Sequence, residues 1–193
     1  MRCRLCAVSA LLILSSGVLA AQRPPIVDYG VYFWPAPGSP SVDRQFAIVY
    51  NAGQASGIHP YKVVLRAFAP DGTLACETTT VITPWQGRST MKKVAWFEAA
   101  YSKSGGAKVR TGKYLLRAYL TEQIPAGQHP EDANLANNQY PWEPPQYVPV
   151  EFEVRPGAEE IRCAVPSFLA SSEMFPQGFN PPVRGGERPS RPQ

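Results

Sequence analysis

Histidine is scarce in this sequence. There are two in 193 residues, His59 and His129, each followed by a proline. Catalysis by a Ser or Cys nucleophile needs a base within hydrogen-bond reach, usually His, and no G-x-S-x-G elbow accompanies either residue. Both are read as surface residues of turns, and no catalytic residue is assigned. No segment carries a long apolar period of 3.6, which excludes a helical bundle. A surplus of one charge is lacking too. The 19 basic and 15 acidic residues leave a net charge of +4, spread along the chain, so no basic stripe marks a nucleic-acid partner.

What is present at the start is a tripartite leader. Arg2 and Arg4 precede the apolar run Leu5 to Leu14, and Val18-Leu19-Ala20-Ala21 offers small residues at a cleavage site. Residues 1–21 are read as a signal peptide, which sends the mature chain to the periplasm or the cell surface. The apolar core is shorter than the ~20 residues of a spanning helix, so no membrane span is expected after cleavage. The leader takes two of the 19 basic residues with it, leaving 17 against 15 acidic ones. It also removes Cys3 and Cys6. Cys76 and Cys163 then stand as an even pair in an exported chain, which reads as a disulfide. With three methionines and no C-x-x-C beyond the leader, a zinc or copper site is not expected.

Proline and glycine are plentiful, 21 and 15 residues, which favours short segments joined by turns. The recurrent pattern is alternation with period two. Seven strands follow from it: Ile26–Trp34, Arg44–Asn51, Tyr61–Ala69, Thr73–Thr83, Ser89–Glu98, Lys113–Thr121 and Tyr147–Val154. Asp71-Gly72 marks a tight turn between the third and fourth. Helical turns are read over Ala95–Lys103 and Ala170–Met174. Pro149, unable to donate to a ladder, puts the last strand at an edge or a bulge. Seven short strands at even spacing describe an all-β, immunoglobulin-like sandwich over residues 22–169. Residues 170–193, rich in Pro, Gly and Arg, are expected to form a flexible tail.

Two further segments carry possible chemistry. Gly106 to Lys113 (GAKVRTGK) superficially matches a phosphate loop, but the glycines are one residue too far apart and Tyr114 follows the lysine. Glu131, Asp132, Asn134, Asn137 and Asn138 crowd hard oxygen ligands into one loop. Calcium takes such ligands, yet an Asx-rich turn that caps its own backbone accounts for them without an ion. The capped turn is preferred.

The run Asn51–Gly57 (NAGQASG), lying between two strands, resembles the turn of bacterial CARDB-type immunoglobulin-like domains. Gly112 to Leu120, an Asp/Asn-rich loop with Asn137-Asn138, and a final Val-rich strand are similar to that family's closing strands. The resemblance covers roughly Ile26 to Val154 and implies a sandwich used for adhesion, binding or assembly. It implies no chemistry.

Large rings sit beside prolines at Trp34, Trp85 and the Tyr140-Pro141-Trp142 run. They read either as lids of the sandwich core or as a platform for a sugar or a peptide. Tyr140 and Trp142, with Phe175 and Phe179 in the tail, are the candidate partner-binding residues. The expected function is an exported, non-enzymatic binding or structural module with a protein partner in an envelope assembly. A carbohydrate- or ligand-binding accessory domain and a small hydrolase are the alternatives.

Overall fold

The computed structural model describes residues 26–34, 44–86, 90–101, 109–140, 150–166 and 173–174. Within them the chain is all-β apart from one 3-10 turn, Leu135–Asn137. Ten strands follow in order: β1 (Tyr29–Trp34), β2 (Arg44–Asn51), β3 (Tyr61–Phe68), β4 (Leu74–Ile82), β5 (Thr90–Tyr101), β6 (Gly112–Glu122), β7 (Gln139–Tyr140), β8 (Val150–Val154), β9 (Ala158–Ala164) and β10 (Glu173–Met174). They form two antiparallel sheets. One runs β1-β2-β5, with β9 and β10 both on the far side of β5. The other runs β4-β3-β6, with β7 and β8 both on the far side of β6.

Alternation explains why these segments are strands. Along β3, Tyr61, Val63, Leu65 and Ala67 are buried while Lys62 is exposed and Arg66 half-exposed. Along β8, Val150, Phe152 and Val154 face in, and Glu151 and Glu153 face water. The buried rows of the two sheets meet in one cluster that runs from Tyr29, Val31 and Phe33 to Leu116, Ala118 and Leu120. Phe97 is fully buried near its middle, with ring centroids 4.9 Å from Phe152 and 5.9 Å from Tyr114. Truncating such a side chain to Ala removes about 3–5 kcal/mol. The expected turn at Asp71-Gly72 is present. Gly72 takes φ of 82°, and Asp71 Oδ1 accepts from the Thr73 amide and hydroxyl.

Cys76 and Cys163 are bonded, with Cα atoms 5.6 Å apart. The bridge ties β4, an edge of one sheet, to β9, an edge of the other. The described residues hold no helix long and apolar enough to cross a membrane.

Three strands go beyond the periodicity, and two expected helical turns are corrected. β5 continues to Tyr101 where a helical turn over Ala95–Lys103 was expected, because Trp96 to Tyr101 pair with β9. Within the other expected turn, Ala170–Met174, residues Glu173 and Met174 pair with Met91 and Thr90 of β5 as β10. β7 and β10 are two residues each, too short for any period to show. β9 (AEEIRCA) hides its alternation behind charges that face solvent at an edge.

Candidate functional site

Polar side chains gather where the β2–β3 turn, the β4–β5 link and the long β6–β7 loop come together. The first layer is built by Asn51, which is fully buried at the end of β2. Its Oδ1 accepts from the Gly53 amide at 2.9 Å, closing the turn, and its Nδ2 donates to the Trp85 carbonyl at 2.9 Å. Tyr29 joins the same point, since its hydroxyl accepts from the Trp85 amide at 2.7 Å. Burial raises the Tyr29 phenol to about 12, so it remains a neutral hydrogen-bonding group. Gly53 is required by contact. A Cβ there would stand 2.3 Å from the Ile26 carbonyl oxygen, because the backbone of Ile26–Asp28 passes directly over the turn. The Asn51–Gly57 run thus has a structural reason for its Asn and its first Gly.

The second layer centres on His59. It is buried, at 4% exposure, and does not lie on the surface of a turn as its neighbourhood to Pro60 suggested. His129 is exposed. His59 Nδ1 meets Glu122 Oε1 at 2.5 Å, and Nε2 meets Gln128 Oε1 at 2.5 Å. Both ring nitrogens face oxygens, an arrangement suited to the imidazolium, which donates from both. The Gln128 and Glu122 acceptors accordingly hold the His59 pKa above its ordinary value. Glu122 also accepts from the amides of Glu131 and Asp132, at 3.1 to 3.3 Å. Glu131 reaches back to accept from the Ile58 amide at 2.7 Å. Gly57, with φ of 66°, lets that carboxylate approach; a Cβ there would stand 3.0 Å from it.

Asp132 completes the set. Its Oδ1 accepts from the Asn134 amide at 3.1 Å and its Oδ2 from Asn138 Nδ2 at 3.0 Å. Burial outweighs these bonds and raises its pKa to about 7. Asn137 donates to Asp28 Oδ1 at 2.8 Å, which links the loop to the segment before β1.

The Asp/Asn loop therefore does not converge on one point. Glu131, Asp132 and Asn137 turn to three different partners, and Asn134 and Asn138 serve Asp132. A different trio, His59, Glu122 and Glu131, brings three ligand-type atoms within 4.8 Å of one another. These are the described residues that could hold a cation, and each already has a hydrogen-bond partner. His59 spends both ring nitrogens on the Glu122 carboxylate and the Gln128 amide, which hold it in place. In chemical terms the arrangement is a set of rivets between loops.

The pair Cys76 and Cys163 is brought together as expected. Tyr140 lies in β7 and is buried, with ring centroids 4.7 Å from Tyr32 and 5.8 Å from Phe33. Trp85 is likewise buried edge-on against Tyr29. Trp142, Phe175 and Phe179 lie outside the described residues. Sequence reasoning passed over Glu122, Gln128 and Asp28. Glu122 stands opposite Tyr61 in the β3–β6 ladder, two residues along from His59, and nothing local in the sequence reveals that pairing.

No family profile matches the chain, and comparisons with curated proteins and with solved structures find no match.

Proposed function

We propose that this chain is an exported immunoglobulin-like module that binds or scaffolds without catalysing, as one subunit of a larger assembly in the periplasm or at the cell surface. The strand order supports the immunoglobulin-like reading. β1-β2-β5 opposes β4-β3-β6-β8, which corresponds to the A-B-E and C′-C-F-G arrangement of such sandwiches. A disulfide between the two sheets suits an oxidising compartment. The observation that carries the non-catalytic reading is how the loop end uses its reactive groups. His59, Glu122 and Glu131 are engaged in joining one loop to another, and Asp132 caps its own loop through Asn134 and Asn138.

The test is purification of a tagged full chain from its native envelope after mild crosslinking, run beside esterase, protease and glycosidase screens. A stoichiometric envelope protein recovered with the chain, and no turnover, is the expected result. Turnover abolished by His59→Ala would make it a hydrolase instead. Glycan binding in titration calorimetry would move it to the class of carbohydrate-binding accessory domains.

A further inference from the structure

Sheet edges expose unpaired backbone groups, and proteins protect them with charge, proline, shortness or cover. Three of the four edges here are protected in one of these ways. Beside β1 lie β7 and the 3-10 turn, and Tyr32 on that strand packs against Tyr140. β8 is five residues long and points Glu151 and Glu153 to solvent. β9 carries Glu159, Glu160 and Arg162.

β4 is different. It is nine residues long, LACETTTVI, with no proline. Its only charge, Glu77, is drawn inward along the sheet by a 2.5 Å ion pair with Arg66 of β3. Its outer side pairs with no strand among the described residues. Val81 is 55% exposed and Leu74 53%. Thr78 to Ile82 is an unbroken β-branched run, the composition that fits a pleated ladder. Toward Cys76 the disulfide brings β9 close to β4, so the Thr78–Ile82 half is the open one.

We infer that this half of β4 is a strand-pairing edge whose occupant is the same edge of a second copy of the chain, joined antiparallel about a twofold axis at Thr80. Opposed residues in an antiparallel pair share a face. That register places Thr79 opposite the partner's Val81, Thr78 opposite the partner's Ile82 and Glu77 opposite the partner's Thr83. No like charges meet, and each exposed Val81 gains a β-branched neighbour. A self-paired edge is isologous, so it closes as a dimer and does not propagate as a fibre. The contact is small, and the dimer is therefore concentration-dependent. The inference stands whatever else the module binds.

Sedimentation equilibrium of the full oxidised chain over a concentration series tests it, with hydrogen exchange on the same samples. The wild type dimerises, and the amides of Thr78 to Ile82 gain protection as concentration rises. Val81→Glu sets each new carboxylate diagonally across from Glu77 and the new carboxylate of the second copy, and weakens the dimer about tenfold. Val81→Thr keeps the β-branched shape without charge and retains it. Neither variant unfolds the monomer, because Val81 faces water and the new carboxylate stands opposite Lys62 of β3. A chain that is monomeric throughout overturns the inference. So does a dimer indifferent to Val81→Glu, a dimer that leaves the Thr78–Ile82 amides unprotected, or an edge that pairs only with a foreign strand.

Discussion

The two sheets are fastened at two places by different means. At one edge a single covalent bond joins β4 to β9 across a sequence separation of 87 residues. At the loop end, hydrogen bonds from His59 to Glu122 and Gln128 and from the Ile58 amide to Glu131 join the β2–β3 turn to the end of β6 and the β6–β7 loop. The covalent tie acts largely on the unfolded chain, whose freedom it restricts, and it answers to redox conditions. The polar tie acts on the folded state and answers to protons. A molecule held both ways resists either disturbance alone.

Breaking the covalent tie has the largest effect. Replacing Cys76 and Cys163 together by Ser lowers unfolding stability by up to about 4–5 kcal/mol, and native strain reduces that figure. Urea denaturation measures it. A loss below about 1 kcal/mol means that the bridge constrains little. Next comes Glu122→Ala, which leaves His59 and the amides of Glu131 and Asp132 without their acceptor. The cost is about 3 kcal/mol, since buried donors stripped of partners lose their full desolvation penalty. Glu122→Ala as stable as the wild type would show that water replaces the carboxylate.

A change of pH separates the two ties. Asp132 has a folded pKa of about 7 against an ordinary 3.8. Its contribution is therefore greatest at low pH and is lost as pH rises from 3.8 toward 7, by at most about 1.4 kcal/mol per pH unit. His59, also raised, contributes fully below its ordinary value of 6.5 and loses that contribution as pH climbs through its folded value. Both shifts loosen the loop end as pH rises, Asp132 from 3.8 toward 7 and His59 above 6.5, and leave the disulfide untouched. Asp132→Asn removes the first part. Asn138 Oδ1 has no hydrogen-bond partner among the described residues, so a turned Asn138 amide can accept from the new side chain. The variant is expected to be about 2 kcal/mol more stable at pH 8 and flatter between pH 5 and 7. An Asp132→Asn profile that parallels the wild type would remove Asp132 as the source. Smallest of all is the effect of chelator: with each member of the trio already hydrogen-bonded, excess EDTA shifts the melting temperature by less than about one degree. A fall of several degrees would show that His59, Glu122 and Glu131 hold an ion.

What could be read from the sequence follows the range of the forces involved. Alternation gave β2 to its last residue and β3, β4, β6 and β8 to within a few residues, because a half-buried strand writes its inner face into every second position. The cysteine pair was legible from parity once residues 1–21 are read as a leader that takes Cys3 and Cys6 with it. β9 was not, since Glu160 and Arg162 fill its outer row and Glu159 puts a further charge in line with Ile161 and Cys163, which masks the alternation. β5 was cut short because Ala95 to Ala100 has the composition of a helix, and only the β9 ladder overrides that propensity. His59 was misplaced for a related reason. Its burial depends on Glu122 and Gln128, 63 and 69 residues away. A Gly-x-His-Pro stretch carries no local mark of such partners.

The bridge also has a consequence in time. A chain made from its N-terminus delivers Cys76 well before Cys163, and at about 5–20 residues per second the interval is roughly 4–17 seconds. Through that interval the first cysteine is a thiol with no native partner, on a strand whose neighbour across the ladder, β3, still lacks β6. Other thiols, including those of sister chains, can reach it before its own partner does. Correct pairing in this protein is thus decided by waiting, and it is served best by a cell that keeps Cys76 reduced or guarded until nearly all of the domain has appeared.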